Sequence, residues 1–421
     1  MCSPETLLLN DHLFIMEVDS ASMLTPEDIA DAADLIRPHI HRTPLVYSPT
    51  FSAMTGCEVY LKLETLQKAG SFKVRGAVHS ILKNRKGIGS AGVVAASAGN
   101  HAQGVALAAG IAGVRATIVM PVGSSVAKQE AARGYGAEIV IAGRTLQESI
   151  LYAQVLAERG AFLVHPYDDK HVIAGAGTIG TEILEDLGDV GYVIVPVGGG
   201  GLIAGIAAAI KGAGNPARII GVQAAACDAA YRAFAFEERE LVSPGRTIAD
   251  GIAVPIVGER PFGMIRAFVD RIGIVSEEEM VQAILLLAER KHLVVEGAGS
   301  APLAYLLSGR GMFPERSRIV LIISGGNIDL PLFQRVIHQA QVARDRSMTI
   351  SVVVDDRPGS LAKLLGTIAG AGGNIHEIIQ KRDEKGLHPT EIRVEVEIET
   401  RGLLHQERIR SHLTGAGYIS R

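Results

Sequence analysis

Apolar residues along this chain fall into short blocks that alternate between two periods. TPEDIADAADLI (25–36) spaces its apolar positions at helical intervals, with Thr25 as N-cap, Pro26 at the first helical position and acids in the first turn. EVYLKLE (58–64) alternates apolar and polar positions as a half-buried strand does. Compact β-branched runs then take turns with longer helical runs. The order is strand GVVAAS (92–97), helix HAQGVALAAGIAG (101–113), strand RATIVMP (115–121), helix AKQEAARGYG (127–136), strand AEIVIAG (137–143) and helix LQESILYAQVLAERG (146–160). The alternation resumes with GYVIVPVG (191–198), LIAGIAAAIKG (202–212) and ARIIGVQ (217–223), and RIVLIISGG (318–326) reads as the last core strand. Such alternation predicts an α/β fold of two doubly wound open-sheet units, with a cleft at the carboxyl ends of their strands.

The pattern changes near the C-terminal end. QVARDRSM (341–348) is a charged break and reads as a linker. Beyond it, TISVVVDD, RPGSLAKLLGTIAGAGGNI, HEIIQKRD, EIRVEVEIET and HQERIRSHLTGAG give the order βαββα, with room for one more short strand at the terminus. This is an α+β arrangement. Residues 1–22 carry no clear period and read as an extension.

Composition narrows the class. The 421 residues suggest two or three domains, and 48% hydrophobic with 20% charged residues suffices for a large core. A net charge of −4 argues against nucleic-acid and anionic-membrane partners. Many of the 48 glycines fall in the loops discussed below, which points to backbone contacts with a ligand. Cys2, Cys57 and Cys227 form no CxxC and read as free thiols of a reducing cytosol. With Asp11 and Glu17 interrupting the apolar start, no signal peptide and no membrane-length run is expected, and the protein is expected to be cytoplasmic.

The candidate chemistry centres on Lys73 in SFKVRGA (71–77), which lies just before a helical pattern that begins at Ala77. A lysine at a helix start faces the positive end of the dipole, and it becomes a useful nucleophile if it surrenders its charge to a carbonyl. Three further segments accompany it: SAGNHAQG (97–104), PVGGGGLIAG (196–205) and ISGGN (323–327). Four successive glycines, Gly198 to Gly201, ending in Leu202 at a helix start, let converging N–H groups hold an anion. No GK[ST] follows, so this is not a nucleoside-triphosphate loop, and Ala204 stands where GxGxxG needs its third glycine, which makes a dinucleotide reading weak.

Together and in this order, the four segments resemble the fold-type II pyridoxal-phosphate enzymes, the tryptophan synthase β-like fold, and within them the threonine dehydratase (threonine ammonia-lyase) and serine dehydratase/racemase group. The resemblance spans roughly Leu24 to Ala340, and Val74, where the cysteine synthase and threonine synthase branches usually carry Asp, favours the dehydratases. It implies a catalytic region over 23–340, with a smaller domain of about 55–160 inserted in a larger one. It implies pyridoxal 5'-phosphate held by Lys73 as a Schiff base, the same lysine taking the Cα proton of the substrate. It places the cofactor phosphate at Gly198, Gly199, Gly200, Gly201 and Leu202, the ring hydroxyl oxygen at Asn100 and the pyridine nitrogen at Ser324. Phe72 either packs on the ring or belongs to the core. The turn Ser97, Ala98, Gly99, with Asn100 and His101, is assigned to the substrate carboxylate, and His101 is read as a hydrogen-bonding residue of the helix start rather than a base.

Two departures from the group matter. Racemases tend to carry a serine hydroxyl where this chain has Ala98, so racemisation is disfavoured. The segment GVQAAACDAA, with Gln223 and the single acid Asp228, is too poor in carboxylates for a divalent cation, and no metal is expected. DRPGSLAKLL followed by GGNI resembles the start of an ACT domain over 349–421, which implies a ferredoxin-like α+β module and suggests an amino-acid effector near Asp356, Pro358, Gly359, Ser360 and Asn374. The implied reaction is β-elimination on L-threonine, giving 2-oxobutyrate and ammonia, with L-serine giving pyruvate, in a homodimer or homotetramer. A serine-selective dehydratase, a racemase and a non-catalytic amino-acid sensor are the alternatives.

Overall fold

The structure is a computed structural model that describes residues 23–419. The expected extension 1–22 and Cys2 lie outside the described residues. The described chain divides into two compact units, one running to Asn327 apart from the stretch Ile284–Leu286, the other formed by that stretch and the residues from Ile328 onward.

In the first unit, β1 (Leu45–Tyr47) and β2 (Glu58–Leu63) open one sheet, and β3 (Val93–Ala96), β4 (Ala116–Met120), β5 (Glu138–Ile141) and β6 (Phe162–Leu163) form a second. The chain then returns to the first sheet with β7 (Tyr192–Pro196), β8 (Arg218–Ala224), β9 (Arg271–Val275) and β10 (Arg318–Ile323). The larger sheet has the order β1-β2-β10-β7-β8-β9 and the smaller β5-β4-β3-β6. Every pairing is parallel except β1 with β2. Helices pack on both sheets, and the central strands β3, β7 and β10 are nearly continuous apolar runs, as burial on two faces requires.

The details amend the sequence reading in three places. β2 falls within the stretch expected for the smaller domain, yet it pairs in parallel with β10 of the larger sheet, and β6 extends the smaller sheet past residue 160. The helix expected from Ala77 begins at Lys73 and runs to Lys83, because its polar residues Arg75, His79 and Ser80 are buried rather than exposed. The helix Lys170–Asp186, the longest of the described helices at 17 residues, was not legible.

Beneath the start of the Lys73 helix lies a buried ionic cluster. The Arg75 guanidinium is fully buried and donates to both oxygens of Glu64 at 2.9 and 2.8 Å and to Glu182 Oε1 at 2.7 Å. Lys62 Nζ donates to Glu182 Oε2 at 2.5 Å and Thr43 O at 2.6 Å. Two cations meet two anions, and the cluster ties β2 and the Lys170–Asp186 helix to the segment that presents Lys73.

In the second unit, a helix Leu330–Val342 precedes β11 (Ser347–Asp355), a helix Ser360–Gly370, β12 (Asn374–Lys381), β13 (Glu391–Glu399) and a helix Leu403–Gly415. From β11 onward the order is the expected βαββα, and no further strand follows among the described residues. The antiparallel sheet has the order β11-β13-β12. Ile392, Val394, Val396 and Ile398 alternate inward along β13 against Leu364, Ile368, Ile409 and Leu413 of the two helices. The expected linker 341–348 is mostly structured: the helix reaches Val342, β11 starts at Ser347, and the turn between is closed by Arg346 N–H donating to Gln341 O at 2.9 Å. Its charges decorate a helix end rather than an open chain.

Candidate active site

A cavity of about 1140 Å³ opens in the first unit and is lined by segments that leave the carboxyl ends of both sheets: Ser97 after β3, Pro121 after β4, Val164 after β6, Gly198 after β7 and Ser324 after β10. This is where an open α/β sheet places its ligands. Lys73, Phe72, the turn Ser97 to His101, the loop Gly198 to Leu202 and Ser324 all line it, so thirteen residues separated by up to 252 positions in sequence converge on one space.

Lys73 is positioned from two sides. The end of β10 fixes the approach, with Phe72 N–H donating to Ser324 O at 3.1 Å and a bridge pairing Ser71 with Gly325. The helix Asn100–Ala112 packs directly on the Lys73 backbone, where a Cβ on Gly104 would sit 3.1 Å from the Lys73 carbonyl carbon. Lys73 Nζ donates to Pro166 O at 2.9 Å. Burial pushes its pKa down to about 8, and the Glu296 carboxylate pulls the other way. The Phe72 ring lies 5.0 Å from Nζ and packs against the core of the larger sheet.

The glycine loop is shaped for an anion. Gly200 takes a φ of 93° and caps the helix Gly201–Gly212 without any side chain. The N–H groups of Gly199, Gly200, Gly201 and Leu202 meet no acceptor among the described residues, and the positive end of the helix adds to them. Side chains are excluded from this loop, since a Cβ on Gly199 would come within 2.4 Å of the Tyr167 ring and one on Gly201 within 2.7 Å of Tyr167 O.

The Ser97–Gly99 turn leads into a helix whose cap, Gly99, brings no side-chain bond, and the N–H groups of Ala98, Asn100 and His101 have no acceptor among the described residues. His101 is buried, its Nε2 shares a hydrogen bond with Val164 O at 2.8 Å, and burial pushes its pKa down to about 3. It is a neutral anchor at neutral pH. Asn100 is held by two residues the sequence reading did not single out. Its Nδ2 donates to Glu296, and its Oδ1 accepts from Asn327 Nδ2 at 2.7 Å. Asn327 ends the ISGGN segment already noted, and Glu296 precedes the small-residue helix Gly297–Leu307, an acid at an N-cap position that was the available signal. His165 and Tyr167, also in the lining, carry no period that would have marked them.

The donor set suits a phosphorylated pyridine aldehyde: a half-buried amine of lowered pKa, a backbone nest for the phosphate, an amide and a buried hydroxyl at Ser324. Among the described residues, no cluster of His, Cys, Asp or Glu suits a metal ion, and no helix is long and apolar enough to cross a membrane.

In the second unit a smaller cavity of about 370 Å³ gathers Asp356, Pro358, Gly359 and Ser360 with Arg357 and Arg382. Asn374 does not join them. It opens β12, and its Nδ2 donates to Glu399 at 2.9 Å, because the β12–β13 pairing carries it to the far end of the strand.

Residues 36–325 match the family described as pyridoxal-phosphate dependent enzyme, and residues 348–408 match the ACT domain. Over 392 residues the chain is 44% identical to an L-threonine ammonia-lyase of Geobacter sulfurreducens, covering 93% of this chain and 97% of that protein. Among solved structures it is similar to threonine deaminase isoform 2 from Solanum lycopersicum, with 34% identity and a TM-score of 0.72 over 75% of this chain and 88% of that one. It is also similar to maize serine racemase, with 34% identity and a TM-score of 0.71 over 76% of this chain and 98% of that one. The chain therefore belongs to the fold-type II pyridoxal-phosphate-dependent enzymes and carries a C-terminal ACT domain.

Proposed function

We propose that this chain is an ammonia-lyase that converts L-threonine to 2-oxobutyrate and ammonia, and L-serine to pyruvate, in the cytoplasm and as a homodimer or homotetramer. The observation that carries this reading is the half-buried Lys73 amine, which lines one cavity with the side-chain-free nest at Gly198 to Leu202 and the Ser324 hydroxyl. The 44% identity to an L-threonine ammonia-lyase over nearly the whole chain supports the choice of substrate.

The bound cofactor supplies an electron sink that acidifies the Cα proton of an amino acid. Gly198, Gly199, Gly200, Gly201 and Leu202 would hold its phosphate, Asn100 its ring oxygen and Ser324 its ring nitrogen, with Lys73 as the covalent anchor. The N–H groups of Ala98, Asn100 and His101 would take the substrate carboxylate. Lys73 would take the Cα proton at Nζ, for which its lowered pKa suits it at neutral pH. In the net balance the Cα proton and the β-hydroxyl would leave together as one water, and one water would be taken up as ammonia and the 2-oxo acid depart. Ser324 offers a hydroxyl where a carboxylate would protonate the ring nitrogen, which favours elimination over transamination. Ala98 supplies no proton donor, which weighs against the racemase alternative.

The second-unit cavity at Asp356 to Ser360 is proposed as an effector site for a branched-chain amino acid such as isoleucine or valine. Such an effector acts only if it binds two states unequally. The test is 2-oxo acid release from L-threonine and L-serine by purified, cofactor-loaded protein, with and without branched-chain amino acids. Release from threonine is the expected result. A yellow protein releasing nothing from either substrate overturns the proposed reaction, and kinetics unmoved by every branched-chain amino acid remove the effector.

A further inference from the structure

The carboxamide of Asn100 is pinned at both ends. Its Nδ2 lies 2.8 and 2.9 Å from the two carboxylate oxygens of Glu296. Its Oδ1 accepts at 2.7 Å from Asn327 Nδ2, which also donates to Ala69 O at 2.8 Å. The two hydrogens of a carboxamide diverge, whereas the two oxygens of a carboxylate sit side by side, so at near-equal distances both oxygens share one hydrogen. The second hydrogen of Asn100 Nδ2 is left free beside the cavity.

We infer that Glu296 is a positioning residue of this site: it sets the carboxamide of Asn100 so that an N–H, and not the amide oxygen, is offered to the cofactor's ring oxygen. The inference rests on the reading of Asn100 as a cofactor ligand. Turning the amide over would place its NH2 against the Asn327 donor, a repulsive contact, and its oxygen against Glu296, which is repulsive as well wherever that group is ionised. The fold makes room for this carboxylate. Glu296 is 5% exposed, and a Cβ on Gly325 would come within 2.5 Å of its Oε1, so only glycine allows it to lie there. Lys73, Lys128 and Asp250 are the charged groups that act on it. Burial pushes its pKa up to about 7, Asn100 and the two lysines pull it down, and Asp250 adds to the rise.

The test compares holoenzymes carrying Glu296→Ala and Glu296→Gln with the wild type, reading the visible absorbance band of the bound cofactor, its dissociation constant and the melting temperature. Glu296→Ala frees the amide, so the band should move and cofactor retention should weaken about tenfold, the scale of one hydrogen bond to a charged group. Glu296→Gln keeps an acceptor oxygen for Asn100 and should restore both readouts towards wild type. A folded Glu296→Ala enzyme with the wild-type band and affinity overturns the inference, and so does a Glu296→Gln enzyme indistinguishable from it. If Glu296→Ala does not fold, Asn327→Ala frees the other end of the same amide and must move the band; an unmoved band overturns the inference. Borohydride reduction of the wild-type holoenzyme, followed by peptide mass spectrometry, separates the two layers. Label on Lys73 with unmoved variant bands sinks the positioning role alone, whereas no label on Lys73 sinks the underlying reading of the site.

Discussion

Lys73 should be the most reactive lysine of the cofactor-free protein at neutral pH, by a margin that can be worked out. Burial lowers its pKa from the 10.5 of a lysine in water to about 8. At pH 7.5 that leaves roughly a quarter of the amine neutral against about one part in a thousand for a surface lysine, an enrichment of roughly 200-fold. Trace acetylation of cofactor-free protein across pH 6.5 to 10, read lysine by lysine by peptide mass spectrometry, measures this directly. Labelling of Lys73 should rise about tenfold per pH unit up to about 8 and then flatten, while exposed lysines keep rising towards pH 10. A Lys73 peptide that tracks the exposed lysines would refute the reasoning. The neighbouring anion supplies a second arm. Glu296 pulls the Lys73 pKa upward, so Glu296→Gln should move the inflection to lower pH, and an inflection that stays put or moves up removes that pairing. Stability is linked to the same shift. The folded state holds this proton more weakly than the unfolded chain, so the cofactor-free protein loses stability as pH falls from about 10.5 through about 8.

Gly199→Ala would put a methyl group within 2.4 Å of the Tyr167 ring, so cofactor retention should weaken by about tenfold or more, measured by fluorescence titration of the cofactor-free protein; unchanged affinity would show that the loop tolerates a side chain. Arg75→Met leaves Glu64 and Glu182 facing only Lys62 in the interior and should cost about 3–5 kcal/mol, seen as a lower melting temperature, whereas an unchanged melting temperature would mean the cluster is neutral in net effect. Ser324→Asp should divert turnover towards transamination, measured as the ratio of pyridoxamine phosphate formed to 2-oxo acid released, and an unchanged ratio would remove Ser324 from electronic control.

Much of the fold was legible because its strands are short apolar runs buried on two faces and its first helices carry amphipathic spacing. The helix Lys170–Asp186 was not, and the reason is tertiary. KHVIAGAGTIGTEILED carries three glycines, at positions 175, 177 and 180, which lower intrinsic helix propensity, and ten of its residues are buried. Those glycines let neighbouring helices approach: a Cβ on Gly175 would lie 2.7 Å from Arg75 O, and one on Gly177 would lie 2.9 Å from Gly205 O. What reads locally as a broken helix is a close-packed one. The start of the Lys73 helix was misplaced for a related reason, since Arg75 looks like a surface residue until its two carboxylate partners, from elsewhere in the chain, are in place.

The same distinction divides the site. Lys73, the SAGNH turn, the glycine loop and Ser324 are local motifs, each a short stretch whose chemistry is carried by its own backbone or one side chain, and sequence is enough to find them. Glu296 reaches Asn100 from 196 residues away, and Asn327 reaches it from 227 residues away. A single acid ahead of GAGSAP has no meaning until the fold brings it to an amide that must face one way. Orientation, unlike residue type, is a property of the pair. That is why a sequence reading could place Asn100 at the site without seeing what decides which of its two ends is presented there, and why the decisive measurement is a spectral shift in a variant that leaves Asn100 itself untouched.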